Sequence, residues 1–213
     1  HLKEGVELSV IECWDRRWLG RRRLFGRRRI VRGRRRLREL VMATASGGPL
    51  PRALRHLFAR SARALYPPEC LKRLAAAIAD GEAAHRGQVC FAVESALPMG
   101  VVLSGHDARS RAVDVFARLR VWDTAANNGV LIYLLLADHR IEIVADRGLD
   151  AMVSAEQWRG VCQLMEERLA AGEPEAAALQ GVAAASALLA EHFPRTDGAR
   201  NQNELPDLPQ ILD

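Results

Sequence analysis

In "WDTAANNGVLIYLLLADHRIEIVADRGLDAMVS" (122–154), three of five carboxylates and two amides flank the two long apolar runs: Asp123, Asn127 and Asn128 before them, Asp146 and Asp150 after. Oxygen donors of this kind suit the hard cations Ca2+ and Mg2+, and a bound divalent ion can polarise a phosphoryl group. Whether these residues meet depends on the segment between them. "GVLIYLLLA" is apolar without alternation, which predicts a strand covered on both faces. "DH" at 138 and 139 is short enough for a hairpin, and "RIEIVA" returns antiparallel. With 138 and 139 as the loop, Leu131 faces Asp146. Asn127, Asn128 and Gly129 then share one rim with Asp146, Arg147 and Asp150, and Asp123 adjoins it. Asp123, Asp146 and Asp150 are therefore the candidate metal ligands, and Asn127, Asn128, Gly129 and Arg147 shape the loops around them. The competing reading is structural: the asparagines hold loop backbone, and Asp146 pairs with Arg147 or caps a turn. The residue types favour that reading. Glu94 falls at the opposite, Asp138 end and stays outside the candidate site.

The elements that must position this rim follow from apolar spacing. "PRALRHLFARSARAL" (51–65) sets Leu54, Leu57, Phe58 and Leu65 close to one helical face, with arginines on the other. A second helix opens at Pro68 and carries Leu71, Leu74, Ala75 and Ile78. "QVCFAVES" (88–95) is a strand, and "MGVVLSGHDARS" is a loop leading into a helix with Asp107 near its start and Ala112, Val115, Phe116 and Leu119 inward. Strand, helix and strand make a βαβ unit, so 88–94 and 129–137 should be parallel. Ser154 with Gln157 spells a capping box for a helix over 155–170, ended by Gly172, and Pro174 opens the last helix. The fold class is α/β: a small mixed sheet with a βαβ unit and a β-hairpin, helices on both faces, three layers.

Four segments result: an Arg-rich extension (1–41), a helical arm (42–66), the α/β domain (67–194) and a polar tail containing Pro and Asn (195–213), read as draped or disordered. The net charge of +5 is divided unevenly, with +9 on residues 1–41 and −4 on the rest. "GRRRLFGRRRIVRGRRR" could bind nucleic acid or anionic lipid through its arginines. Its low complexity and the Met at 42 instead favour a disordered or non-native extension that the fold does not need. The four cysteines, with no CxxC and no Cys/His cluster at zinc spacing, read as reduced buried thiols. No apolar run approaches the ~20 residues of a membrane helix, which suggests a cytoplasmic protein. No Gly-x-Ser-x-Gly, phosphate-binding Gly-rich loop, His-Glu-x-x-His or Cys-x-x-Cys motif supplies a reaction.

Three stretches, "RAVDVFARLRVWDTAANNGVLIYLLLA", "DHRIEIVADRGLDAMVS" and "EPEAAALQGVAAASALL", resemble the TPM-domain family over about residues 68–193. The Asn127-Asn128-Gly129-Val130-Leu131 element carries most of that likeness. The tail "NELPDLPQIL" is similar to that of short proteobacterial members without signal peptide or anchor. The resemblance implies a TPM-like fold, weak acid-phosphatase activity, divalent-metal binding, or a role in membrane-protein maintenance. Asp150 matches an acid of the family pattern. Asp146 stands where many members have glycine, and Ala155 where many have an acid, which weakens the implied metal site. The expectation is a non-catalytic module that docks on a protein partner, membrane-associated or not. The alternative is a weak metal-dependent phosphatase.

Overall fold

The computed structural model describes residues 9–14, 49–195, 205 and 208–212. In chain order they form β1 (Ser9–Trp14), α1 (Pro49–Leu57), α2 (Ala62–Leu65), α3 (Pro68–Ala84), β2 (Gln88–Glu94), α4 (Met99–Leu103), α5 (Ala108–Arg118), β3 (Gly129–Leu135), β4 (Arg140–Ala145), a 3-10 turn (Arg147–Leu149), α6 (Ala155–Ala171), α7 (Pro174–His192) and β5 (Gln210–Leu212). The strands make one mixed sheet in the order β1-β4-β3-β2-β5. β2 and β3 are parallel, as the intervening helices require, and β4 returns antiparallel to β3. The fold is three-layer α/β/α.

Sheet alternation sorts the core into two halves. Val89, Phe91, Val93, Ile132, Leu134 and Ile143 face α3, α6 and α7. Ala92, Leu131, Tyr133, Leu135 and Val144 face α4 and α5. Both β2 and β3 are buried along their whole length, which explains the unbroken apolarity of the β3 sequence. Local signals set the helix ends: Asp107 accepts from the Ser110 N–H at 2.8 Å, both halves of the Ser154/Gln157 capping box form, and Gly172 takes the left-handed conformation that closes α6.

Several expectations need correction. The hairpin loop is four residues long, 136–139, so Leu131 pairs with Val144 rather than Asp146. The slip is by two residues, so every side chain keeps its face. His139, at φ 56°, supplies the left-handed residue that lets this loop close without glycine. "MGVVL" is a helix of its own, α4, begun at Pro98. Residues 1–41 are not wholly outside the fold, because Ser9–Trp14 pairs antiparallel with β4. An unpaired β4 edge offers backbone donors and acceptors to any extended segment, whatever its composition. The rest of the arginine-rich extension, 15–41, lies outside the described residues. In the tail, Gln210–Leu212 adds a parallel strand beside β2 for the same reason. Cys70 and Cys90 are free and buried, with burial pushing the Cys70 thiol up to about 11. Cys162 is disulfide-bonded, contrary to the expectation of four reduced thiols. Distant cysteines carry no sequence signal for bridging, since only folding brings them within reach. The cysteine argument for a reducing compartment goes with it.

The first helix departs most from expectation. Leu54, Leu57 and Phe58 point to solvent, whereas Arg52 and His56 turn toward the domain. The cause is Asp138, in the β3–β4 loop. Its carboxylate accepts from Arg52 Nη2 at 2.8 Å and Arg52 Nε at 3.0 Å, and His56 Nε2 stands 3.1 Å away. The Leu97 N–H donates to His56 Nδ1 at 3.0 Å, which leaves the ring proton on the nitrogen facing Asp138.

Candidate functional site

The rim is built by two loops that interlock at the start of β3. The α5–β3 loop bends at Arg120 and Asn127, both at positive φ (57° and 50°). It then passes so close to β3 that a β-carbon on Gly129 would overlap the Val121 carbonyl oxygen. Across the rim, the β-carbon position of Gly148 lies 2.5 Å from the carbonyl oxygens of Ala126 and Asn127. Glycine is required at both places because backbone packs directly on backbone. Asn127 uses its backbone: its carbonyl accepts from the Gly148 N–H at 2.9 Å. Asn128 is buried, and its side-chain amide donates to the Arg86 carbonyl at 3.2 Å. Thr124 completes the clamp through Oγ1, which accepts from the Asn128 N–H at 3.0 Å.

The three carboxylates occupy different surroundings. Asp146 is 1% exposed. Its Oδ1 caps the 3-10 turn by accepting from the Arg147 N–H at 2.8 Å, and its Oδ2 has no protein hydrogen-bond partner. Burial raises the Asp146 pKa above the ordinary carboxylate value, the Arg147 contacts oppose the shift, and the nearby Asp150 charge adds to it. Asp150 is exposed one turn away. Asp123 is half exposed and pairs with Arg120 Nη2 at 3.0 Å, while the Arg120 guanidinium lies over the Trp122 ring. The structure therefore gives Asp123 to Arg120, while Asp150 bears on Asp146 only through its charge, the smallest cause of the rise there. Arg147 is exposed; it donates its backbone N–H to Asp146, and its charge also opposes the rise at that carboxyl. Among the described residues, no group of three His, Cys, Asp or Glu side chains is gathered to hold a metal ion. The fit to a divalent cation is partial: one buried carboxylate oxygen without a partner, and one neighbouring charge.

The opposite end of the sheet holds polar groups that the sequence reading set aside. Glu94, at the carboxyl end of β2, is 2% exposed. It accepts from Arg111 Nε and Nη2, both at 2.9 Å, and from the Tyr133 hydroxyl at 2.7 Å. Burial and the Glu94 charge push the Tyr133 phenol far up, so it stays a donor. One acid in a strand as apolar as "QVCFAVE" was the available signal, because a buried carboxylate must find a cation or donors. Both Glu94 oxygens are occupied by protein donors, so this triad ties α5 to the sheet. It lies at the carboxyl ends of the parallel strands, where open α/β sheets commonly bind ligands, yet here protein side chains fill the position.

Residues 66–188 match the TPM domain, more than half of the chain. The NMR structure of the BA42 protein from the psychrophilic bacterium Bizionia argentinensis is similar, with a TM-score of 0.59 and 27% sequence identity over 67% of this chain and 92% of that one. No curated protein matches.

Proposed function

The chain belongs to the TPM-domain family, and from that premise we propose that it is a non-catalytic interaction module that docks on a protein partner. The observation that supports this reading most is that three polar rim residues are employed as structural groups. Asp146 caps a turn through Oδ1, Asp123 is paired with Arg120, and Asn128 holds the Arg86 backbone. A rim locked by backbone contacts at Gly129 and Gly148 offers a rigid surface for recognition.

A second reading, a weak divalent-metal-dependent acid phosphatase, is favoured by one specific feature, the unpartnered Oδ2 of buried Asp146 beside the Asp150 charge. Asp146 and Asp150 would hold Ca2+ or Mg2+ there, and the ion would supply charge stabilisation to a phosphoryl group. The two readings separate in one set of measurements on the wild type and Asp150→Asn. These are calorimetric titration and thermal unfolding with Ca2+ and Mg2+, and hydrolysis of p-nitrophenyl phosphate at acid pH. The interaction module gives no binding heat, no melting shift and no cation-dependent hydrolysis. Specific binding would stabilise the native state by about 2.7 kcal/mol at a hundredfold excess over Kd. That shift, together with hydrolysis that falls in Asp150→Asn, would establish the phosphatase reading instead.

A further inference from the structure

The outer edge of β2 is finished by a segment that lies outside the matched domain. Residues 66–188 match the TPM domain, and of the five strands they include only β2, β3 and β4. Among the described residues, the strand on the outer edge of β2 is β5, which comes from the tail. Its hold is short. β5 pairs Gln210 with Ala92, Ile211 with Val93 and Leu212 with Glu94, whereas β3 pairs with β2 along its whole length on the other side. Pro209, just before β5, has no N–H with which to extend the ladder. β5 is only half-buried, although β2 itself is buried throughout.

The tail side chains nevertheless find seats in the domain. Leu205 is 7% exposed within the core half formed with α4 and α5, and its N–H donates to Gln88 Oε1 at 3.1 Å. Ile211 packs on the opposite core half, under α3, α6 and α7, and Leu212 on the same half as Leu205. The tail thus meets β2 near its start, at Gln88, and again at its end, at Ala92 to Glu94. An open sheet edge gives affinity to any extended chain through its backbone, and seats for alternate side chains give selectivity. Three paired residues appended to a domain are a hold that a competing strand can replace. We propose that the β2 edge is a docking site for an extended segment of a protein partner, and that the tail occupies this site when the partner is absent. The partner segment adds parallel to β2 and carries apolar side chains at the spacing of Leu205, Ile211 and Leu212. This rests on the interaction-module reading and names where the module binds and what it binds.

The test is fluorescence anisotropy of a labelled peptide, NELPDLPQILD, titrated with the full chain and with full-length Leu205→Ser/Ile211→Ser. In the wild type the tethered tail competes at high effective concentration. A site closed for about nine-tenths of the time or more weakens the apparent affinity about tenfold or more. The double variant should therefore bind the peptide at least about tenfold more tightly than the wild type, and a peptide carrying the same two serines should not bind. Amide hydrogen exchange along β2 should rise in the double variant and fall again when the peptide is added, which places the contact. Circular dichroism and urea unfolding check the fold, and Ile211→Ser alone, at a half-buried site, replaces the double variant if that one does not fold. Three results overturn the proposal: no gain in peptide affinity in a folded variant, loss of the domain fold in both variants (the tail is then part of the core), or a wild-type dimer in light scattering that the tail variant dissociates (copies then exchange tails). Each of these leaves the module reading standing with the rim as its surface, whereas cation-dependent hydrolysis that falls in Asp150→Asn overturns that reading and is measured without the peptide.

Discussion

Gly129→Ala isolates the close approach that builds the rim. The added β-carbon would sit on the Val121 carbonyl oxygen, 3.1 Å from its carbonyl carbon and 3.0 Å from Val121 Cγ1. The β-carbon position is 2.0 Å from that oxygen, and ordinary contact needs about 3.4 Å, so one backbone segment must move by about 1.4 Å. Neither can move freely. The Gly129 carbonyl accepts from the Asp146 N–H at 2.9 Å, and Val121 is fully buried with its N–H bonded to the Phe116 carbonyl at 3.1 Å. Overpacking of this kind costs about 2–3 kcal/mol, above the ~1 kcal/mol of an average substitution. Gly160→Ala is the control. Gly160 lies inside α6 with nothing within 4 Å of its β-carbon position, so alanine there should stabilise by up to about 1 kcal/mol through helix propensity. Urea unfolding followed by circular dichroism reads both, with equal m-values licensing the comparison. A Gly129→Ala midpoint equal to wild type, or shifted the same way as Gly160→Ala, would refute the close-packing account.

Two further outcomes follow from buried carboxylates of opposite character. Burial opposes ionisation of Asp138, yet His56 and Arg52 more than offset it and hold the carboxyl well below the usual range. Its contribution is therefore present above the unfolded carboxylate pKa of about 4 and lost as pH falls below it. Asp138→Ala should cost about 2 kcal/mol at neutral pH in urea unfolding, with the deficit shrinking in acid; an equal deficit at both pH values contradicts this. Asp146 has the reverse sign, because burial raises its folded pKa and the ionised form is the unfavourable one. Asp146→Asn should raise the melting temperature at neutral pH, and the gain should vanish below about pH 4, where the wild type is protonated in both states. A melting temperature lowered at neutral pH would show that the charge is stabilised there.

The sheet was legible because its signals are local or nearly so. Unbroken apolarity marked β2 and β3, and the helix between them dictated parallel pairing. Ser154 with Gln157 marked the start of α6, and its capping box forms. The loop of the hairpin was not legible to the residue: "LADH" lacks the Asn-Gly or Asp-Gly that names a turn, and the left-handed residue turned out to be His139. The rim was legible as a neighbourhood, since Asn128 and Asp146 do flank Gly129, but not as a set of roles. Which carboxylate is capped, paired or left with a spare oxygen depends on backbone N–H groups and arginines brought in from other elements. The Glu94–Arg111–Tyr133 triad joins residues 94, 111 and 133, and no periodicity connects such positions. β1 and β5 are short edge strands from polar or charged surroundings, recruited by open backbone rather than by their own pattern.

The first helix shows how one distant charge can overrule an amphipathic pattern. Burying Leu54, Leu57 and Phe58 would each contribute about 1.5–3 kcal/mol, and on that basis the apolar face should turn inward. The domain instead presents Asp138, with 9% of its side chain exposed, and a carboxylate there without cations would cost several kcal/mol. Arg52, Arg55 and His56 all reach it from α1, so satisfying the charge orients the helix with its apolar side outward. Among the described residues the cations that reach the Asp138 carboxylate all come from α1, so satisfying that charge sets the orientation and leaves Leu57 65% exposed.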